Sequence, residues 1–453
     1  MTDETMRDRM TRQSRPGSVA ALTRRATLGL PLALAACGFI GGDDGPPLPG
    51  KRYDVQPVAN GLVADPTLNS AVTLPAPASG FSWAQQGGNA AHDPGNQPVA
   101  NTLNRLWTAD IGEGTGYRHR IPCGPIAANG LAFTMSATGD VRAFSLVDGG
   151  MLWHSSIRPK GSRSTNIGGG IGYDDGHIYA ATGLGEIICF DAKTGALKWR
   201  QPLGSPARSG PTIAGGSIFV STAGSAILGL DAKTGKTIWT HQARTPQTTL
   251  LGLPAPAFAN NIVVAGFGSG DLVAIAADTG DVLWTDNLGS TDPSLSQLSA
   301  IAGMPVIDQG RVFAGSLGGL VLSLDLPSGR RLWEKDFATQ ETPFVAGDWV
   351  FQLSTDQKLG AIHVDSGAVK WAMQLPAFKN PKKARGPIFW QGPVIGGGSL
   401  ILASSEETLI TVDPTTGRVT NSIDLPSAPD WAPIVVGGKI LLNLVSGTLL
   451  ALG

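Results

Sequence analysis

The chain has 453 residues, enough to bury a sizeable core, with 34 basic residues against 35 acidic ones. Near-neutral charge without a basic stripe excludes the electrostatic footprint of a nucleic-acid-binding protein. With 61 glycines and 32 prolines and no collagen period, a helical protein is excluded too, and short strands joined by tight turns are expected.

Residues 1–36 read as an export leader. Arg24 and Arg25 precede the apolar run ATLGLPLALAA at 26–36, long enough for a signal-peptide core and too short to span a bilayer. Thr23-Arg24-Arg25 carries only part of a twin-arginine signal, and Met10 is an alternative start. The run ends in Leu34-Ala35-Ala36-Cys37, which resembles the bacterial lipobox. That resemblance implies acylation of Cys37 and, with several chains on one residue, stable retention on a membrane surface. Residues 37–80, rich in Pro, Gly and Ala, are expected to form a flexible tether, and residues 81–104 an extended lead-in.

From residue 105 onward one idea repeats. AFSLVDGGMLW (143–153), CFDAKTGALKW (189–199), GLDAKTGKTIW (229–239), AIAADTGDVLW (274–284), SLDLPSGRRLW (323–333), AIHVDSGAVKW (361–371) and TVDPTTGRVTN (411–421) align on a glycine preceded by Asp, Thr or Ser. The short oxygen can bond a nearby backbone N–H while glycine supplies positive φ, which is what a tight hairpin needs. Each segment begins with a small residue and, in six of the seven, ends in tryptophan. The ring is expected to lie over the gap left by a small residue of a neighbouring repeat, and Cys189 occupies that small slot. Export would permit Cys123 and Cys189 to pair, but the packing slot of Cys189 favours two buried, unpaired cysteines.

Upstream of each motif lie two more strand-like runs, the first opened by proline at 125, 211, 256, 305, 343, 393 and 433. The tryptophans at 107, 153, 199, 239, 284, 333 and 371, followed by Asn421, are 38 to 50 residues apart. Four short strands per such period predict an all-β propeller. The last unit stops before its fourth strand, and Leu106-Trp107-Thr108-Ala109-Asp110 is a fourth strand without predecessors. The expectation is an eight-bladed ring over 105–453 of four-stranded antiparallel blades. It is closed by pairing of the N-terminal strand with the C-terminal ones, with Trp107, Trp153, Trp199, Trp239, Trp284, Trp333 and Trp371 as docking residues.

The motif A-x-D-x-x-T-G-x-x-x-W resembles the docking motif of pyrroloquinoline-quinone-type propellers. Together with the leader and with SWAQQGGNAAH at 82–92, residues 81–453 look like the BamB family of lipoproteins of the outer-membrane β-barrel assembly machinery. That resemblance implies a non-enzymatic scaffold, monomeric within a hetero-complex, without cofactor, lipid-anchored on the periplasmic face of the outer membrane. It would dock on the POTRA domains of BamA through the loops 241–254 and 287–305. Carried over by position, the family's leucine and arginine fall on Leu250 and Leu251. Gln297-Leu298-Ser299 keeps a leucine and a serine, while the two aspartates of an Asp-x-Asp pair fall on Ala300 and Ala302.

Two rivals use the same fold. A quinone dehydrogenase would show adjacent cysteines and clustered oxygen ligands, and here no two cysteines adjoin, the histidines lack ligand spacing, and Glu113, Asp140, Glu186 and Asp271 are scattered. GGGIG at 168–172 has no following helix to make a dinucleotide site. A sugar- or cell-wall-binding propeller would call for aromatic residues at one mouth, against an aromatic content of 6%. The basic loops 158–163 and 379–385 read either as contacts for an acidic partner or lipid head groups, or as solvated tips. Trp349, Trp390 and Trp431, outside the docking slot, suit core or groove packing or an exposed partner patch.

Overall fold

A computed structural model describes residues 61–78, 82–100, 102–158, 168–246, 252–289 and 299–453. Eight four-stranded antiparallel sheets stand around an axis as an eight-bladed β-propeller. Blade 1 is made of Ile126–Ala128, Leu131–Met135, Asp140–Ser145 and Met151–Ser156. Blades 2 to 7 repeat this order over 169–202, 212–242, 257–287, 306–336, 344–374 and 390–424. Blade 8 takes three strands from the C-terminus, Ile434–Val436, Lys439–Leu444 and Thr448–Leu452, and its outermost strand, Arg105–Asp110, from the N-terminal side. Trp107 pairs with Ala451 and Asp110 with Thr448, so the expected closure is present. Where other blades have a turn between third and fourth strand, the amide of Gly453 donates to Asn104 O and that of Asn104 to Gly453 O, both at 3.0 Å.

Each blade is sandwiched between two neighbours, so its middle strands, such as Ser217–Ser221 and Ala226–Asp231, are buried on both faces at consecutive positions. Proline immediately precedes the innermost strand of six blades; Pro393 instead lies inside Trp390–Gly396, at a break in register between Gln391 and Val394. Blade 2 opens with Gly169, where a Cβ would stand 2.1 Å from Ala181 O, so the glycine-rich run is an inner strand at a close backbone approach.

The tryptophan geometry differs from the sequence expectation in one respect. The small residue faces the tryptophan of its own blade: Ala143 pairs with Trp153, Cys189 with Trp199 and Gly229 with Trp239. What the ring meets in the next blade is the turn glycine. A Cβ on Gly149, Gly195, Gly235, Gly280, Gly329, Gly367 or Gly417 would lie 2.4–2.9 Å from an atom of the preceding blade's indole, and their φ values run from +67° to +81°. The position thus needs glycine twice, for its left-handed backbone and for its missing side chain. Beyond the ring face, Trp153 Nε1 donates to Ala192 O at 3.0 Å, Trp239 to Ala277 O at 2.8 Å, Trp284 to Leu326 O at 2.7 Å, Trp333 to Val364 O at 2.7 Å and Trp371 to Pro414 O at 2.8 Å.

Asn421 now has a reason. A tryptophan there would have docked on the turn of blade 8, and blade 8 has no such turn because its third and fourth strands, Thr448–Leu452 and Arg105–Asp110, are not consecutive in the chain. Val99 and Leu103 line the resulting groove beside Asn421, a cavity of about 260 Å³.

A second correction concerns the tether. Its part from 61 to 78 is docked, not loose: Leu62 is 2% and Val72 5% exposed. Leu62 joins the cluster of Phe313, Trp333 and Ile362, filling the space a side chain on Gly360 would occupy. The amide of Asp65 donates to Val369 O at 2.7 Å, and Lys370 Nζ to Leu68 O at 2.8 Å. Composition suggested a coil, but two well-placed apolar residues are enough to hold a short strap in an existing groove. The expected acylation site, Cys37, lies outside the described residues.

Candidate functional site

Antiparallel blades give the ring two unlike ends. One carries the turns between first and second and between third and fourth strands; the other carries the second-to-third turns and the loops that join blades. The lead-in occupies the first end. Equivalent amides of the innermost strands reach it one after another: Ala127 N donates to Trp83 O at 2.7 Å, Tyr173 N to Ala84 O at 2.7 Å, Phe258 N to Ala90 O at 2.6 Å and Ile307 N to Ala91 O at 2.8 Å. In blade 3 the side chain of Gln85 takes the same place, its Oε1 accepting from Ile213 N at 2.7 Å. Gln97 O then accepts from Gly397 N at 2.7 Å, and Val99 bridges Gly438.

The inner strands are sheet edges with unpaired backbone groups, and the lead-in satisfies them. His92 is 2% exposed, its Nδ1 donating to Pro305 O at 2.7 Å. Burial holds its pKa down at about 4, so it is neutral. Burial and the neighbouring Asp308 push Asp93 up to about 6.

The opposite end carries the described roots of every loop singled out from the sequence, and the hairpin 378–387. Leu250, Leu251, Gln297 and Leu298 lie outside the described residues, as does most of the basic loop 158–163. The roots of the two candidate partner loops are described, and one residue braces both. Asp271, 4% exposed, accepts from Arg244 Nε at 2.9 Å, from Ser269 Oγ at 2.7 Å and from Asn287 Nδ2 at 2.8 Å. Arg244 belongs to the root of the first loop and Asn287 opens the second. Burial raises the Asp271 carboxyl, but these donors outweigh it and hold its pKa below the usual range. Read from sequence alone, Asp271 looks like a strand-end acid; only the fold shows that it joins two loops 43 residues apart at Arg244 and Asn287.

Of the positions where the resemblance places an acidic pair, Ala300 is 5% exposed, with its carbonyl accepting from Leu317 N at 2.9 Å. Cys123 and Cys189 are buried and unpaired, with burial pushing both thiols up to about 12, which keeps them protonated packing residues. Among the described residues no three His, Cys, Asp or Glu side chains are grouped to hold a metal ion. No helix among them is long and apolar enough to cross a membrane.

In the motif turns, carboxylates act structurally. Asp191 Oδ1 accepts from Thr194 Oγ1 at 2.9 Å and Thr194 N at 3.0 Å, and with Lys198 this lowers its pKa to about 2. Trp349 and Trp390 are buried, whereas Trp431 is 37% exposed on a loop between blades.

Comparison with known proteins agrees with this architecture. The chain is 29% identical over 358 residues to the outer membrane protein assembly factor BamB of Salmonella typhimurium, covering 78% of this chain and 89% of that one. It is 32% identical over 281 residues to that of Xanthomonas campestris, covering 60% and 68%. Among solved structures, BamB from Moraxella catarrhalis superposes with a TM-score of 0.66 at 20% identity, over 78% of this chain and 99% of that one. The quinohemoprotein alcohol dehydrogenase from Comamonas testosteroni reaches 0.64 at 13% identity, over 83% and 81%. Those two likenesses speak for the fold alone. The family model described as outer membrane protein assembly factor BamB matches residues 100–373, and with a closed ring of eight blades behind that match, the chain belongs to the BamB family.

Proposed function

We propose that this chain is a non-enzymatic scaffold of the outer-membrane β-barrel assembly machinery, helping outer-membrane proteins fold and insert. In this reading acylated Cys37 anchors it to the outer membrane, facing the periplasm. The blade-joining loops 241–254 and 287–305 then dock on the POTRA domains of BamA, with Leu250, Leu251, Gln297 and Leu298 at the contact. The observation that carries the reading is the 29% identity to an outer membrane assembly factor over 78% of the chain. Bracing of both loop roots by Asp271 supports it, since a docking surface made of loops gains affinity when they are held in place beforehand.

Isolation of the native protein from outer membranes, read by mass spectrometry, tests the proposal. Recovery of BamA, lost in Leu250→Asp/Leu251→Asp and Leu298→Asp variants whose melting is unchanged, is the expected result. Bound quinone with alcohol-dependent dye reduction would replace the scaffold by an enzyme. BamA recovery untouched by these variants would move the contact elsewhere on the ring.

A further inference from the structure

The loop from blade 6 to blade 7 is built unlike the other described blade connections. Phe378–Asn380 and Arg385–Pro387 pair as a small hairpin of their own, joined by a 3-10 turn at Pro381–Lys383. The Asn380 side chain accepts from Lys383 N at 3.3 Å, and Ala384 closes the turn in a left-handed conformation at φ +45°. A left-handed alanine is costly, so this tip is a formed structure and not a slack linker.

The tip is also concentrated charge. Between Pro376 and Gln391 stand Lys379, Lys382, Lys383 and Arg385 with no acidic residue, in a chain whose net charge is −1. Lys379 is tied to Glu406 at 2.7 Å. Lys382, Lys383 and Arg385 are exposed and make no ion pair among the described residues.

Exposed aromatic side chains continue the surface around the same end of the ring. Phe389 is 51% exposed beside the hairpin, Trp431 37% on the next blade-joining loop and Tyr117 fully exposed on the one after. These loops are stitched together: Gln391 Nε2 donates to Asp430 O at 3.1 Å, Thr115 Oγ1 to the Asp430 carboxylate, and Trp431 Nε1 to Ile121 O at 3.0 Å. Arg118 and Arg120 follow Tyr117 and are exposed as well.

We propose that this arc, the hairpin 378–387 with Phe389, Trp431 and Tyr117, rests on an anionic lipid bilayer. Aromatic rings with long cationic chains suit the interface, where the ring enters the head-group layer and the stem carries its charge to the phosphates. An acidic protein site would offer little to three separated rings. The path of the chain favours the same side. Leu62 packs over Gly360 of blade 6, whose last strand, Val369–Gln374, leads into the hairpin. Leu62 is the 25th residue after Cys37, the proposed anchor, so the anchored end of the chain first meets the ring at blade 6. The arc is separate from the loops proposed for BamA, and either assignment stands if the other fails.

The test uses unacylated chain 38–453 and co-sedimentation with vesicles. Partition onto phosphatidylethanolamine vesicles containing phosphatidylglycerol is expected, weakened by salt, with none onto phosphatidylcholine alone. K382Q/K383Q/R385Q should lower it about 100-fold, at about fivefold per charge. K382R/K383R/R385K should keep it, because a lipid surface reads charge and not donor geometry, and Y117A/F389A should weaken it with the charges in place. Absence of partition, equal partition onto neutral vesicles, or indifference to the triple Gln variant would overturn the proposal. So would capture of an acidic protein through these cations without vesicle binding.

Discussion

At the scale of single residues the molecule is governed by one indole and one absent side chain, seven times over. Trp239 is 8% exposed and lies where a Cβ on Gly280 would be 2.7 Å from the ring, with φ at +81°. Trp239→Ala should cost about 3–5 kcal/mol by analogy with core truncations. Gly280→Ala should cost about 2–4 kcal/mol, from left-handed strain plus overpacking. In the double variant the overpacking part disappears, so thermal or urea unfolding should give a loss smaller than the sum; strict additivity would show that the two do not touch. The glycine, its preceding Asp/Thr/Ser and the tryptophan were all legible in the sequence. Which blade each partner belonged to was not, because spacing fixes a strand register and says nothing about which neighbouring sheet a ring faces.

Among the elements, the blades followed from the repeat, while the segments before them did not. The strap 61–78 and the lead-in have no periodicity; each touches the ring through isolated residues, Leu62, Val72, Trp83, Gln85 and His92, that only a finished ring can receive. Leu62→Asp would put a charge into the cluster around Trp333. It should release the strap to protease while the propeller remains resistant; equal resistance of the strap to wild type would mean that Leu62 does not hold it.

His92 gives the lead-in a pH dependence. Its folded pKa of about 4 lies below the unfolded value of 6.5, so the unfolded chain binds the extra proton and stability falls as pH drops from 6.5 towards 4. Asp93, raised to about 6, acts in the opposite direction, losing its destabilising charge as pH drops. Comparison of wild type with His92→Gln isolates the first effect. Their stability difference should shift against wild type by about 2 kcal/mol between pH 6.5 and 5, and a constant difference would deny His92 this role. Neither the burial of His92 nor the raised pKa of Asp93 could be read from a histidine followed by an aspartate.

For the whole molecule, the count of blades and the meeting of the termini were legible, because an incomplete first unit and an incomplete last unit sum to one. Deleting residues 448–453 removes the strand that Arg105–Asp110 pairs with and leaves two open edges. Such a chain should lose cooperative unfolding and associate through those edges, as seen by calorimetry and light scattering. A sharp, wild-type transition would mean that the seam contributes little.

The seam also imposes a timetable on synthesis. In the order of synthesis and export Trp107 precedes Ala451, its partner across the ladder, by 344 residues, so the outermost strand of blade 8 stays unpaired until residues 448–452 are available. Until then the growing array has a beginning and an end that both accept strangers. A holding factor that keeps Arg105–Asp110 from early pairing would be of most use to this protein during that interval.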